Sequence, residues 1–408
     1  MPGPVAPVAR SAPQSAPASK AGQAAPATPF PIASLKRIRQ AFDTGNLALG
    51  QNVSAIEIPA AGGFLRWIEL QITGTTAGNA ATVVFQPDAP GNAISFIEFL
   101  PPSGDPPIVP HTGYQLELWN KYGAFSQAPP WSDPRRDPQY FATPGAVATG
   151  GSFNLTLRLP FEVDPASGFC SITNSAANKS YLLNMIVNTS GNIYSTAPTT
   201  PPTVRVIGTM YYWDEPASAT RQGTAQVPGP LGLGSFSQLR LDQPPVTAGD
   251  KYLKVNNGGP VLRMLGLVLR TSAGVRILNT AVTDTPAVWD YVFNTRDRWL
   301  ISDLQLLSDM AEAFGYGQAY AGTNTVPIIT TADGPMGLDN GVRFFPYFMD
   351  YGGIQPDGPR SQYQITADAT LTQVRGISFG ANVATMEILT NLIRPVSAAA
   401  LYPSNRIS

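Results

Sequence analysis

One histidine and one cysteine stand in a chain of 408 residues, His111 in PPIVPHTGYQLEL and Cys170 in SGFCSIT. A serine hydrolase would need His111 as its base. The only formal GxSxG stretch is GISFG at 376–380, centred on Ser378. A nucleophile elbow requires a strand-to-helix turn with the histidine later in the chain. Here the histidine lies far upstream and the flanks read as strands, so the match is fortuitous. His111 is expected at the surface or in a capping position, and Cys170 as a packed small hydrophobe rather than a nucleophile. Glycosidase chemistry needs two carboxyl groups roughly 5–10 Å apart. Glu69, Glu98, Glu117, Glu162 and Glu387 are scattered singly through strand and helix patterns. A lone cysteine excludes an intramolecular disulfide and argues against a thiolate metal cage. Asp-rich calcium loops, phosphate-binding loops and dinucleotide fingerprints are absent from the sequence. The expectation is no enzyme, with no catalytic, cofactor or metal residues.

Charge points the same way. Lys and Arg number 26 against 27 Asp and Glu, and only 13% of residues are charged. No whole-molecule field favours nucleic acid, and no specific nucleic-acid partner is expected. The exception is local: Arg10, Lys20, Lys36, Arg37 and Arg39 all precede the first acidic residue, Asp43. Residues 1–31 are mainly Pro, Ala, Ser and Gln. Ordering them costs about 1–2 kcal/mol of backbone entropy per residue, with little apolar surface to offset it. A flexible basic arm is therefore expected, ending in a short helix in PIASLKRIRQAF, where Ile32, Leu35, Ile38 and Phe42 share a helical face. Such an arm suits contact with an anionic surface or with a neighbouring subunit. Arg135 and Arg136, between Asp133 and Asp137, read as a solvated loop. No apolar leader precedes the arm and no apolar run approaches about 20 residues, so the chain is expected to be made in soluble form.

The elements that must position these residues are mostly strands. The chain holds 40 prolines and 38 glycines, which limits helices. NVSAIEIP, a turn AAGG and FLRWIELQIT read as a hairpin. FNLTLRLPF alternates cleanly, with Phe153, Leu155, Leu157, Leu159 and Phe161 on one face. YLLNMIVN and TVRVIGTMYYW follow. Residues 214–236 lack periodicity and mark a boundary. Then the first pattern restarts: KYLKV, NNGG and PVLRMLGLVLRT repeat the hairpin, with Leu65, Arg66, Trp67 and Ile68 matched by Leu262, Arg263, Met264 and Leu265. GVRILNTA and VWDYVFN read as further strands. RDRWLISDLQLLSDMAEAF reads as one helix with Leu300, Leu304, Leu307, Ala311 and Phe314 as its apolar stripe. YQLELWNKYGAF is the shorter helix in the comparable place of the first half. FFPYFMDY, QYQITADAT and VATMEILTNLI supply later strands.

Many short strands with Gly/Pro turns, repeated in two halves, give an all-β chain of two tandem eight-stranded jelly rolls, each with a short helix. Immunoglobulin-like sandwiches fit less well, needing only about 100 residues each and no such helix. The organisation expected is an arm at 1–45, a first roll at 46–216, a linker at 217–240, a second roll at 241–396 and a tail at 397–408.

The combination of a flexible arm, "AAGGFLRWIELQIT", "FQPDAPGNAISFIEFLPPSG" running into "GYQLELWNKYGAF", and a repeated hairpin with its own longer helix resembles a known family. It is that of the double jelly-roll major capsid proteins of tectivirus-type bacteriophages, in the adenovirus-hexon-like lineage. The likeness covers roughly residues 35–395. It implies a virion protein, synthesised in the host cytoplasm, forming homotrimers that tile an icosahedral shell over an internal membrane. Its implied partners are neighbouring capsomers, minor capsid and vertex proteins, and the viral membrane reached by the arm through Arg10, Lys20, Lys36, Arg37 and Arg39. Six similar rolls in a trimer fit a nearly hexagonal lattice position, and a low charge suits permanent interfaces. A carbohydrate-binding or adhesin-like β-sandwich is the alternative, and it would bring an export signal with it.

Overall fold

The computed structural model of the chain describes residues 30–76, 82–102, 107–123, 145, 149–163, 168–174, 180–215, 235–255, 261–277, 284–293, 296–314, 339–345, 365–366 and 372–395. The first half lays down α1 (Phe30–Ala33), β1 (Lys36–Leu47), β2 (Asn52–Ile58), β3 (Gly63–Thr75), β4 (Val84–Phe85), β5 (Ile94–Leu100), β6 (Val109–His111) and α2 (Gly113–Tyr122). After these come β7 (Phe153–Pro160), β8 (Ile172–Thr173), β9 (Tyr181–Val187), α3 (Ser190–Ile193), β10 (Tyr194–Thr196) and β11 (Thr203–Asp214). They form one sheet in the order β1-β11-β3-β7, with β8 also on β3, and a second in the order β2-β9-β5-β6. Pairing throughout is antiparallel.

The second half contains β12 (Ser235–Asp242), β13 (Gly249–Lys254), β14 (Val261–Arg270), β15 (Val288–Phe293), β16 (Arg296–Ser302), α4 (Asp303–Phe314), β17 (Val342–Phe345), β18 (Ile365–Thr366), β19 (Thr372–Phe379) and β20 (Thr385–Pro395). Its sheets run β12-β20-β14-β17, with β18 on β14, and β13-β19-β15-β16. Taken in chain order, β1, β2, β3, β5, β6, α2, β7, β8, β9 and β11 correspond one by one to β12, β13, β14, β15, β16, α4, β17, β18, β19 and β20. Eight principal strands in two four-stranded sheets make a jelly roll. The chain is two of them in tandem.

Alternation drives the packing. In β7, Phe153, Leu155, Leu157 and Leu159 are buried while Asn154 is exposed. In β3, Leu65, Ile68, Leu70 and Ile72 are buried, as Leu262, Leu265, Leu267 and Leu269 are in β14. At about 25 cal/mol per Å² of apolar surface, these inward faces supply the main stabilising term of each roll.

The repeated phrase also carries an irregularity. Tyr211 pairs with Trp67 and Tyr212 with Leu65, so Arg66 is the extra residue of a bulge. Asn391 pairs with Met264 and Leu392 with Leu262, so Arg263 is the extra residue of the matching bulge. Bulges re-aim side chains, and both arginines are buried.

Several expectations are corrected. KRIRQAF is not helical: β1 spans it and pairs with β11 from Lys36↔Trp213 to Leu47↔Val204. The spacing of Ile32, Leu35, Ile38 and Phe42 fits a helix, but the long pairing with β11 overrides local propensity. Only Phe30–Ala33 is helical, and Phe30 sits edge-on to Phe64 and Trp213 at 5.5 and 5.6 Å. Neither expected hairpin exists. β2 pairs with β9 and β3 with β11 and β7, while β13 pairs with β19 and β14 with β20 and β17. AAGG lies between strands of opposite sheets, and NNGG lies outside the described residues; turn residues signal a reversal, not the sheet that receives the next strand.

The long helix is half strand. Arg296–Ser302 is β16, and the helix starts at Asp303, where the Ser302 hydroxyl accepts the Gln305 amide at 3.2 Å. Leu306, Leu307 and Met310 are buried, whereas Leu300 and Leu304 are exposed; the side chains of Ala311 and Phe314 lie outside the described residues. In GVRILNTA only an isolated bridge, Arg270 with Arg276, is formed among the described residues. β12 begins at Ser235, inside the expected linker of 217–240, because Ser235–Asp242 pairs with β20 along its whole length.

Candidate functional site

The residues with chemical potential are bound into the scaffold. His111 is buried, not at the surface, and Thr112 rather than His111 caps α2. Its Nδ1 donates to the Pro110 carbonyl at 2.7 Å and its Nε2 accepts the Trp119 indole N–H at 2.9 Å. Both ring nitrogens are committed. Burial, opposed only in part by the Pro110 carbonyl, lowers its pKa from 6.5 to about 4. Cys170 is buried, and burial pushes its thiol well above the ordinary range, the wrong direction for a nucleophile. Ser378 lies within β19, and its amide donates to Asp250 Oδ1 at 3.0 Å. No helix follows it, so GISFG is not an elbow.

The scattered carboxylates are tied to separate partners. Glu162 takes Arg66 at 2.6 Å, the Ser171 hydroxyl at 2.9 Å and the Trp213 indole at 2.5 Å. Glu69 faces Arg158 at 3.5 Å, Glu98 accepts from Asn184 at 3.1 Å, and Glu387 holds Arg270 at 2.6 Å. Among the described residues, no group of three or more His, Cys, Asp or Glu side chains is placed to hold a metal ion.

The densest polar construction lies between the two rolls. Asp88, ahead of β5, takes Arg270 at 2.7 Å and Arg276 at 2.8 Å, both from the second roll. Asp339, ahead of β17, takes Lys121 of α2 at 2.8 Å and the Tyr122 hydroxyl at 2.7 Å. Arg276 Nη2 donates to the Pro87 carbonyl, and Arg263 Nη1 to the Gly123 carbonyl that ends α2. Burial works to raise the Asp339 carboxyl, but Lys121 and Arg276 outweigh it and hold it below the usual range. Trp119 and Tyr122 pack on Phe344 at 5.7 and 4.8 Å. β12 lies beside β6, with the Leu239 amide on the Ile108 carbonyl at 2.9 Å. Charges buried at such a joint are costly unless each is paired, so the pairing holds the rolls in one register. Asp88, Asp339, Arg270 and Arg276 carried no sequence signal. The arginine shared by two apolar strands, Arg66 and Arg263, did.

The basic residues of the expected arm divide. Arg10 and Lys20 lie outside the described residues. Lys36, Arg37 and Arg39 lie on β1, an edge strand, and all three are exposed. Lys36 sits 5.0 Å over the Trp213 ring, and Arg37 donates to Asp214 at 2.7 Å. Beneath them Arg66 lies 4.6 Å from Trp213 and 4.2 Å from Trp67, so cations and indoles alternate. The Ser34 hydroxyl donates to the Asp214 carbonyl and fixes the start of the strand. Among the described residues no helix is long and apolar enough to cross a membrane.

What two tandem rolls of this topology define is a class of fold. No protein-family model and no curated protein matches the sequence. Among solved structures, a chain of the Sulfolobus Turreted Icosahedral Virus is similar with a TM-score of 0.58 and 13% identity, over 88% of this chain and 90% of that chain. A chain of the PBCV-1 virus capsid gives 0.56 and 13%, over 89% and 95%. The Faustovirus major capsid protein gives 0.56 and 10%, over 90% and 91%. The fold is the double jelly roll of viral major capsid proteins.

Proposed function

We propose that this chain is a major capsid protein, a building block of an icosahedral virion shell that assembles as pseudo-hexameric homotrimers. The observation that carries this is the strand-for-strand repetition of one roll in one chain, locked by paired buried charges. Three such chains present six similar rolls, and a threefold object then fills a nearly sixfold position. A structural rather than catalytic role fits the burial of Cys170 and the commitment of His111 and Glu162 to internal partners.

The same proposal places the shell over an internal membrane, as in tectivirus-type bacteriophages, with minor capsid and vertex proteins as further partners. The run of basic residues Arg10, Lys20, Lys36, Arg37 and Arg39, with no acidic residue before Asp43, supports contact with anionic lipid through the part ahead of Phe30, since Lys36, Arg37 and Arg39 belong to β1. The test is a chain lacking residues 1–29, cut before the packed Phe30. It should fold and oligomerise as the full chain does, but lose sedimentation with vesicles containing anionic lipid and yield fewer particles by electron microscopy. Unchanged vesicle binding and particle yield would remove the arm from the proposal.

A further inference from the structure

The joint inside the chain is a template for a joint between chains, and strand register together with the two helix caps supplies the correspondence. Ile38 pairs with Tyr211, which pairs with Trp67. Leu239 pairs with Asn391, which pairs with Met264. Trp67 and Met264 match in the repeated phrase, so Ile38 is the counterpart of Leu239, and three residues earlier Leu35 is the counterpart of Phe236. On the other side, the Thr112 hydroxyl accepts the Gln115 amide at 3.1 Å as the Ser302 hydroxyl accepts that of Gln305 at 3.2 Å. The two helix caps coincide. Leu304 is then the counterpart of Tyr114, Leu300 of Pro110, and Arg298 of Ile108.

Leu239, Phe236 and Tyr114 belong to elements that meet at the joint between the rolls. The Leu239 amide binds the Ile108 carbonyl, the neighbouring Gln238 side chain binds the Pro107 carbonyl at 2.9 Å, and Arg270 and Arg276 lie 5.8 and 5.2 Å from the Tyr114 ring. Leu239, Phe236 and Tyr114 are 0%, 5% and 2% exposed. Their counterparts Ile38, Leu35 and Leu304 are 65%, 61% and 74% exposed, and Leu300 is 63% exposed. These four are a majority of the seven large exposed hydrophobic residues among the described residues, and they cluster on only two places. Both are at sheet edges: β1 ends one sheet of the first roll and β16 ends one sheet of the second. An edge strand that also exposes large apolar side chains invites another chain.

We propose that β1 of one copy docks against β16 of a second copy, in the relation that β12 bears to β6 within the chain, which brings the first turn of α4 into the joint as the first turn of α2 is in the joint between the rolls. The occupant is the same chain, because among the described residues the surface shown to fit such an edge is the equivalent surface of the other roll. The contact is head-to-tail, second roll to first roll, and closes into a ring if the rotation permits. It rests on the trimer proposed above and assigns that trimer its contact residues. Ile38 would be covered as Leu239 is, with its amide on the Arg298 carbonyl, and Leu304 would be covered as Tyr114 is.

The test uses the full chain with Ile38→Cys and Arg298→Cys together; the native Cys170 is buried. Under mild oxidation the double variant should run as a covalent trimer on a denaturing gel and return to single chains on reduction. Either single variant should stay a single chain, and a mixture of the two should give dimers. Independently, Leu304→Asp should convert the oligomer to monomer in a native mass measurement while leaving the far-ultraviolet circular dichroism unchanged. If the unmodified chain is a trimer but the double variant fails to cross-link, or closes a disulfide within one chain, and Leu304→Asp stays trimeric, the docking surface is wrong and the trimer stands. If the unmodified chain is itself a monomer at micromolar concentration, the trimer falls and this surface with it.

Discussion

Tyr122 and Asp339 bind each other twice across the two rolls. The phenol donates to the carboxylate at 2.7 Å and accepts the Asp339 amide at 3.0 Å. One side chain at the end of α2 thereby fixes both the backbone and the side chain of the residue that precedes β17. Lys121 adds its ammonium to the same carboxylate at 2.8 Å.

Asp339→Asn should therefore strike the joint hard. It takes the carboxylate from Lys121 at a buried joint, while Arg276 keeps Asp88, a loss of about 3–5 kcal/mol. Tyr122→Phe removes hydrogen bonds alone and should cost about 1–3 kcal/mol. The Asp339 carboxyl titrates below its unfolded value, so its stabilisation is present above about pH 4 and is lost as pH falls below that. Chemical denaturation of the unmodified chain and both variants at pH 7 and about pH 3 measures this. Equal midpoints for Asp339→Asn and the unmodified chain at pH 7 would contradict the role given to the joint.

The bulge arginine of the first roll gives a second expectation. Arg66 reaches Glu162 through Nε at 2.9 Å and Nη2 at 2.6 Å, with both side chains almost wholly buried. Glu162→Gln should cost about 3–5 kcal/mol, because an uncompensated guanidinium remains inside. Arg66→Met with Glu162→Gln should recover part of that loss. A double-mutant cycle with no coupling between the two positions would show the pair to be incidental.

Acid should act through His111. Its pKa falls from 6.5 to about 4 on folding, so the unfolded chain binds the proton more readily. Stability is complete above pH 6.5 and declines as pH falls toward 4, by about 3 kcal/mol in all. Protonated Nε2 also ceases to accept the Trp119 indole, the side chain that packs on Phe344 of the other roll. His111→Gln keeps an acceptor and should flatten the stability profile between pH 6.5 and 4. An identical slope in that variant would assign the acid sensitivity elsewhere.

Much of this architecture was legible in the sequence, and the misreadings share a physical cause. FNLTLRLPF and TVRVIGTMYYW alternate because each has one wet and one dry face, and both are strands. YQLELWNKYGAF reads as a helix and Gly113–Tyr122 is one, although its cap is Thr112, ahead of that stretch, and not His111. KRIRQAF and RDRWLIS misled because Leu35, Ile38, Leu300 and Leu304 are apolar without being in the core of their own chain. Apolar spacing reports that a residue is to be buried; it does not report against what. The same limit hid the joint, since Asp88 and Asp339 acquire meaning only from Arg270, Arg276 and Lys121, which chain topology brings to them.

The mass of the purified, unmodified chain in solution at micromolar concentration bears most directly on assembly. A single stable species near three times the 43.3 kDa chain mass is the expected result. A persistent species of one chain mass would contradict it.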